Sequence, residues 1–281
     1  MESGDPLVTA EWLKEHISAP DVRVVDATWF PPFLNPEKTG RQAWAEGHIP
    51  GAVYFDIDAI KAGGTDLPHM LPDPVMFSSR ARKLGLGDGN RIIVYDQFNF
   101  FASARVWWML RVMGQRDVKV LDGGLKAWTD AGGEIEDLPP VAVERHFTAR
   151  VRSDLLKDSD QMLAASANSS HNIIDSRSAE RFSGEAPEPR EGLPSGHIPG
   201  SICLPSGELR TEDGRMKSAD ELGKLFPNPL APTIATCGSG VSAAVTALAL
   251  ARLGNWDVAV YDGSWAEWAS DASRPVATGT A

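Results

Sequence analysis

The chain carries two copies of one pattern. His48-Ile49-Pro50-Gly51 returns as His197-Ile198-Pro199-Gly200, and at the same offset Val24-Val25-Asp26 returns as Ile173-Ile174-Asp175. Further on, Asp117-Val118-Lys119-Val120 matches Asp257-Val258-Ala259-Val260. Asp122-Gly123-Gly124-Leu125-Lys126-Ala127-Trp128 matches Asp262-Gly263-Ser264-Trp265-Ala266-Glu267-Trp268, and these last two pairs again share one offset. Four matches in one order mark a duplication, and each copy has to build its own core. The 281 residues leave room for two such cores of ordinary domain size.

Each copy reads as α/β. Short β-branched runs at 23–26, 91–95 and 117–121, and at 171–174, 233–236 and 257–261, have the length and composition of buried strands. Between them, 101–113 and 241–253 are apolar, free of Pro and Gly, and stopped by Gly114 and Gly254, which predicts helices. Strands alternating with helices give a mostly parallel sheet covered on both faces. The stretch from about 134 to 152 contains Pro139-Pro140 and lacks a period, so 139–152 reads as a linker between domains at 1–138 and 153–281. The tail from Pro275 to Ala281 is small and polar, and is expected to fray.

Composition narrows the function. The net charge of −11 disfavours a nucleic-acid partner, because an acidic surface repels phosphates. No apolar run is long enough to span a bilayer, and Met1 to Pro6 lacks the basic-then-apolar pattern of a signal peptide. Cys203 and Cys237 are the 2 cysteines, too few for a disulfide framework or a structural zinc site. These features predict a cytoplasmic protein with reduced thiols.

The copies differ at one strand-to-helix turn. In the second, the strand runs into Thr236-Cys237-Gly238-Ser239-Gly240-Val241-Ser242; in the first, Ile92-Ile93-Val94-Tyr95 ends at Asp96, opposite Cys237. Ligands of open α/β sheets bind at the carboxyl ends of strands. Glycines let successive N–H groups point into the turn, and the following helix adds partial positive charge. Together they favour a thiolate at Cys237. Cys203, in Ser201-Ile202-Cys203-Leu204, has no such setting and reads as a packing residue. A phosphatase would place Arg six positions beyond its Cys, where this chain has Ala243. A neutral loop suits one small anion, such as a persulfide.

With these motifs in view, the chain resembles the two-domain sulfurtransferases of the rhodanese superfamily over about residues 7 to 275. Cys237-Gly238-Ser239-Gly240-Val241, the doubled His-Ile-Pro-Gly, Asp175-Ser176-Arg177, Pro187-Glu188-Pro189-Arg190 and Arg105-Val106-Trp107-Trp108-Met109 carry the likeness. The resemblance implies two tandem rhodanese-like domains. The first is an inactive copy with Asp96 for the nucleophile, and the second carries Cys237. Rhodaneses proper resemble Cys-Arg-Lys-Gly in this loop, where this chain has Gly238 and Ser239. The likeness therefore points to the branch whose donor is 3-mercaptopyruvate rather than thiosulfate. It implies a carboxylate clamp at Arg181 and Arg190, with Gly238, Gly240, Val241 and Ser242 lining the donor site. It also assigns proton handling to Ser239, His69 and Asp58. The acceptor would be cyanide, a small thiol or thioredoxin, with no metal or organic cofactor. Phe101 and Ser242 depart from the family, which can have Tyr and often has Thr there. His48 and His197 occur in both copies, including the copy without a thiol, so they read as structural, as do Trp128 and Trp268. A thiosulfate enzyme and a non-catalytic persulfide carrier are the rival readings.

Overall fold

The computed structural model describes residues 4–34, 36–98 and 100–280. The chain divides into two compact units. The first comprises 1–62, 71–152 and 212–216; the second comprises 63–70, 153–211 and 217–281.

The first unit holds strands β1 (Leu7–Val8), β2 (Val22–Asp26), β3 (Val53–Tyr54), β4 (Arg91–Tyr95) and β5 (Val118–Leu121). The second holds β6 (Leu156–Lys157), β7 (Asn172–Asp175), β8 (Ser201–Cys203), β9 (Thr233–Thr236) and β10 (Ala259–Tyr261). The two orders, β1-β5-β4-β2-β3 and β6-β10-β9-β7-β8, are one order shifted by a repeat, and every pairing is parallel. The runs expected as strands are the three inner strands of each sheet. There, apolar residues on both faces are shielded by helices.

Register is conserved between copies. Asp26 stands opposite Tyr95 on β2 and β4; Asp175 stands opposite Thr236 on β7 and β9. Beyond each pair the backbone closes in the same way. Ala27 N donates to Tyr95 O at 2.8 Å and Ser176 N to Thr236 O at 2.9 Å. The turns after β4 and β9 are thereby delivered to equivalent places.

The helix following each of these strands is buried nearly all round. Phe101–Val112 hides even Arg105 and Arg111, whose guanidinium groups lie 4.5 Å and 4.6 Å over the rings of Trp108 and Trp107 on the same helix. Ala243–Arg252 begins two residues later than the sequence suggests, because Val241 and Ser242 belong to the turn. Small residues dominate its buried face and let it lie close to the sheet.

The repeated histidines are fasteners. His48 and Glu136 exchange backbone hydrogen bonds of 2.9 and 3.0 Å; His197 and Ala277 exchange bonds of 2.8 and 2.9 Å. Nδ1 of His48 contacts Trp44 O at 2.8 Å, and Nδ1 of His197 contacts Phe182 O at 2.9 Å. The rings stack on Trp44 and Phe182, with centroids 4.7 and 3.7 Å apart. Trp128 and Trp268 cap the same seams, with Nε1 donating to Glu134 O and Pro275 O. Trp265, also buried, donates its Nε1 to Pro194 O at 3.0 Å.

This overturns the expectation of a frayed tail. Besides the Ala277 bridge, Gly279 N donates to Ser183 O at 2.8 Å. Backbone pairing, invisible in a run of small polar residues, ties the tail down. Residues 139–152 contain no helix or strand and lie along the first unit. Phe147 is buried against Phe77, and Thr148 bonds to Asp88 through both its amide and its hydroxyl.

Removing the chain after Pro275 deletes three backbone hydrogen bonds at about 1 kcal/mol each. Calorimetry of the shortened protein should show the second unit melting several degrees lower, with the first unmoved. An unchanged second transition would mean that the tail is not part of that fold.

Candidate active site

Cys237 stands at the carboxyl end of β9, the central strand of its sheet, and is 1% exposed. Its backbone is held from both sides. Its N donates to Ser264 Oγ at 3.1 Å, and its O accepts from Trp265 N at 2.9 Å. Ser264 Oγ in turn donates to Tyr261 O at 2.8 Å. Ser264 takes a left-handed φ of +50°, unusual for a serine, and its repeat partner Gly124 has φ +58°. The hydroxyl that seats Cys237 therefore comes from a strained position that the other copy fills with glycine. Sequence reasoning missed Ser264, although the Gly124–Ser264 difference was visible in the repeat.

After Cys237 the chain turns through Gly238, Ser239 and Gly240, with Gly240 at φ +74°, and enters the helix at Ala243. The first copy shows what such a turn binds. There Asp96 is buried, and its carboxylate accepts from Phe98 N at 3.1 Å, Phe100 N at 3.2 Å and Ser103 N at 2.9 Å. The backbone contact is the same, since Leu125 N donates to Asp96 O as Trp265 N does to Cys237 O. In the first copy an amide cradle is filled by the protein's own carboxylate. Burial pushes the Asp96 carboxyl up to about 6, against the opposing pull of the Ser103 and Phe98 amides.

The two arginines expected as a carboxylate clamp come from one short stretch. Arg181 lies on the helix Ala179–Ser183 and Arg190 follows Pro189. A Cβ placed on Gly238 would lie 3.1 Å from Arg181 Nη2 and 3.8 Å from Arg190 Nη1. Both guanidinium groups therefore reach the residue after the thiol, and a Cβ there would crowd Arg181 by a few tenths of an ångström. Burial draws the Arg190 guanidinium below its ordinary value; a negative Cys237 sulfur pulls it upward, and Arg181 adds to the lowering. Ser239 and Val241 are buried in the turn, and Ser242 is partly exposed.

Behind Arg181 lies a carboxylate that sequence reasoning did not single out. Glu188 Oε1 accepts from Arg181 Nε at 3.2 Å and Oε2 accepts from Arg181 Nη2. Arg177, wholly buried, donates to the same Glu188 Oε1 at 2.8 Å and to Asp175 Oδ2 at 2.6 Å. Burial works against the Arg177 charge, but the Asp175 and Glu188 carboxylates outweigh it and hold its proton more tightly than usual.

The two remaining expected residues are Asp58 and His69. Asp58 belongs to the first unit, is exposed, and accepts from Trp29 Nε1 at 2.8 Å through Oδ2. His69 belongs to the second unit, is buried, and has φ +58°. Cys203 packs on β8 with Sγ 3.8 Å from Arg177 O. Burial, then the nearby Asp175, pushes its thiol up to about 11, so it is neutral near pH 7. Among the described residues no group of three or more His, Cys, Asp or Glu side chains could hold a metal ion, and no helix is long and apolar enough to cross a membrane.

The rhodanese-like domain model matches residues 9–131 and 158–271, one match for each copy. The chain belongs to the rhodanese-like family. Among members of this family, Escherichia coli 3-mercaptopyruvate sulfurtransferase is 41% identical over 273 residues, covering 96% of each chain. Chicken thiosulfate sulfurtransferase is 38% identical over 275 residues, covering 94% of this chain and 93% of its own. The crystal structure of SseA from Escherichia coli, described as a 3-mercaptopyruvate sulfotransferase, superposes with a TM-score of 0.85 at 39% identity. That match covers 93% of this rhodanese-like chain and 99% of the other.

The raised Asp96 carboxyl gives a signed test. The native protein keeps a proton that the unfolded chain releases near pH 4, so the stability from neutral Asp96 is full below that pH and lost as pH rises through about 6. The melting temperature of the protein minus that of Asp96→Asn should therefore fall between pH 4 and pH 7. The change corresponds to about 3 kcal/mol. A difference independent of pH would mean that the carboxylate is ionised throughout.

Proposed function

We propose that this chain is a 3-mercaptopyruvate sulfurtransferase that passes sulfur through a Cys237 persulfide. The observation that carries the reading is the approach of Arg181 and Arg190 to Gly238, beside a turn with no charge of its own. Two planar guanidinium groups suit a carboxylate, and the neutral turn suits a monoanionic donor. Identity alone is a weaker guide, since relatives named for each donor stand at 41% and 38%.

The reaction is a two-step exchange. Arg181 and Arg190 bind the donor carboxylate and set its sulfur before the Cys237 thiolate. Sγ attacks that sulfur, an S–S bond forms, and the donor C–S bond breaks. The bonding pair leaves as the enolate of pyruvate, which takes a proton at carbon. His69 is assigned as proton source because imidazole exchanges protons near neutrality, with Ser239 and Asp58 assisting. Amides of the turn from Gly238 to Ser242 stabilise the sulfur anion, as those of the first copy hold the Asp96 carboxylate. In the second step an acceptor attacks the outer sulfur, the S–S bond breaks, and its pair returns to Cys237. Cyanide, a small thiol or a reduced thioredoxin has the chemistry for that role. The setting we assign is the cytoplasm, where such acceptors and Cys237 stay reduced.

Steady-state assays with cyanide as acceptor test the donor directly. 3-Mercaptopyruvate should exceed thiosulfate in kcat/KM by at least about 100-fold, roughly the 3 kcal/mol expected of a matched charged contact. A preference for thiosulfate would remove the donor assignment, and no turnover with either would favour a persulfide carrier.

Two variants test the residue roles. Cys237→Ser should abolish turnover while the far-UV spectrum is kept; residual activity near the parent level would remove Cys237 as nucleophile. Arg181→Ala should raise KM for the donor roughly tenfold or more, with a smaller change in kcat. An unchanged donor dependence would take Arg181 out of the clamp.

A further inference from the structure

The second unit buries a row of alternating charges: Asp175, Arg177, Glu188 and Arg181. Arg177 already has a full set of partners. It donates to Asp175, to Glu188 and to Gly196 O at 2.8 Å, and its plane lies 4.4 Å over the Trp265 ring. Glu188 is 1% exposed at its side chain, whereas Arg181 is 20% exposed. Both oxygens of Glu188 engage Arg181, on the edge formed by Nε and Nη2. Such two-point pairing fixes the guanidinium plane as well as its place.

The sum of charges is informative. Asp175 and Glu188 balance Arg177 and Arg181, and among the described residues beside Gly238 Arg190 is the cation without an ion pair of its own. The turn from Gly238 to Ser242 adds none.

We propose that Glu188 is a positioning and specificity-determining residue: by holding Arg181 and cancelling one of the clamp's two positive charges, it tunes the site to monoanionic sulfur donors and against dianionic ones. This rests on the donor-binding role proposed for Arg181 and Arg190. The physics is a charge ratio. Losing the Glu188 charge strengthens the pull on a monoanion once and on a dianion twice. The ratio between the two donors must then shift even if both absolute rates fall. A merely structural glutamate would change both donors alike.

The test compares Glu188→Gln and Glu188→Asp with the parent enzyme, using 3-mercaptopyruvate and thiosulfate with cyanide, at low and physiological salt. Glu188→Gln should raise the thiosulfate to mercaptopyruvate ratio of kcat/KM at least tenfold, through KM, and salt should shrink the rise. Glu188→Asp keeps the charge, so its ratio should stay within about threefold of the parent while both donors lose efficiency. A ratio unmoved in Glu188→Gln, or moved equally in both variants, overturns the proposal. Should Glu188→Gln fail to fold, Glu188→Ala takes its place: the same rise in the ratio supports the proposal, and an unmoved ratio overturns it. If the parent enzyme itself prefers thiosulfate, the donor assignment fails, while the shift in Glu188→Gln still judges Glu188.

Discussion

A parallel strand that ends in a tight turn before a buried helix must do something with the amides of that turn. Everything at this site follows from that constraint. The pairing of Asp26 with Tyr95, and of Asp175 with Thr236, brings both turns to the carboxyl end of a central strand. In the first copy the amides converge on the Asp96 carboxylate, a built-in anion. In the second a thiol stands at the same position, able to carry negative charge when required and to share it with a second sulfur. One scaffold thus supplies a filled cradle in one copy and a turn with a thiol at the same position in the other.

The cations are handled with similar economy of charge. Arg181 and Arg190 come close to the turn beside residue 238, which has no side chain. Two guanidinium groups side by side repel each other, and burial already disfavours the Arg190 charge. Glu188 relieves that repulsion by holding Arg181, and Arg177, itself held by Asp175, donates to Glu188 in a dry setting. A buried carboxylate without Arg177 would be costly, and a buried arginine without Asp175 equally so. The row is stable as a set.

Much of the fold was legible because of the duplication. Inner strands are continuous apolar runs, and the two buried helices end at Gly114 and Gly254, so period and punctuation agreed. The edge strands β1, β3 and β6 are two residues long, too short to show any period. The tail was misread for a related reason. Its order comes from backbone bonds to His197 and Ser183, and backbone bonds leave no mark on composition. At the site, Cys237 was legible from its place after a strand and before a helix, by contrast with Asp96. Glu188 and Ser264 were not, because each acts through a partner distant in sequence or across a turn.

The sequence by itself determined that there are two α/β copies, that only one bears a thiol at its strand-to-helix turn, and that the loop around it carries no charge. Those are properties of residue order and of local conformational preference, which a chain displays before it folds. Only the tertiary structure decided that two arginines converge on Gly238, that one carboxylate serves both Arg177 and Arg181, and that a strained serine seats Cys237. These depend on which strands lie side by side and on how closely side chains approach, and distance between charges has no representation in a linear pattern.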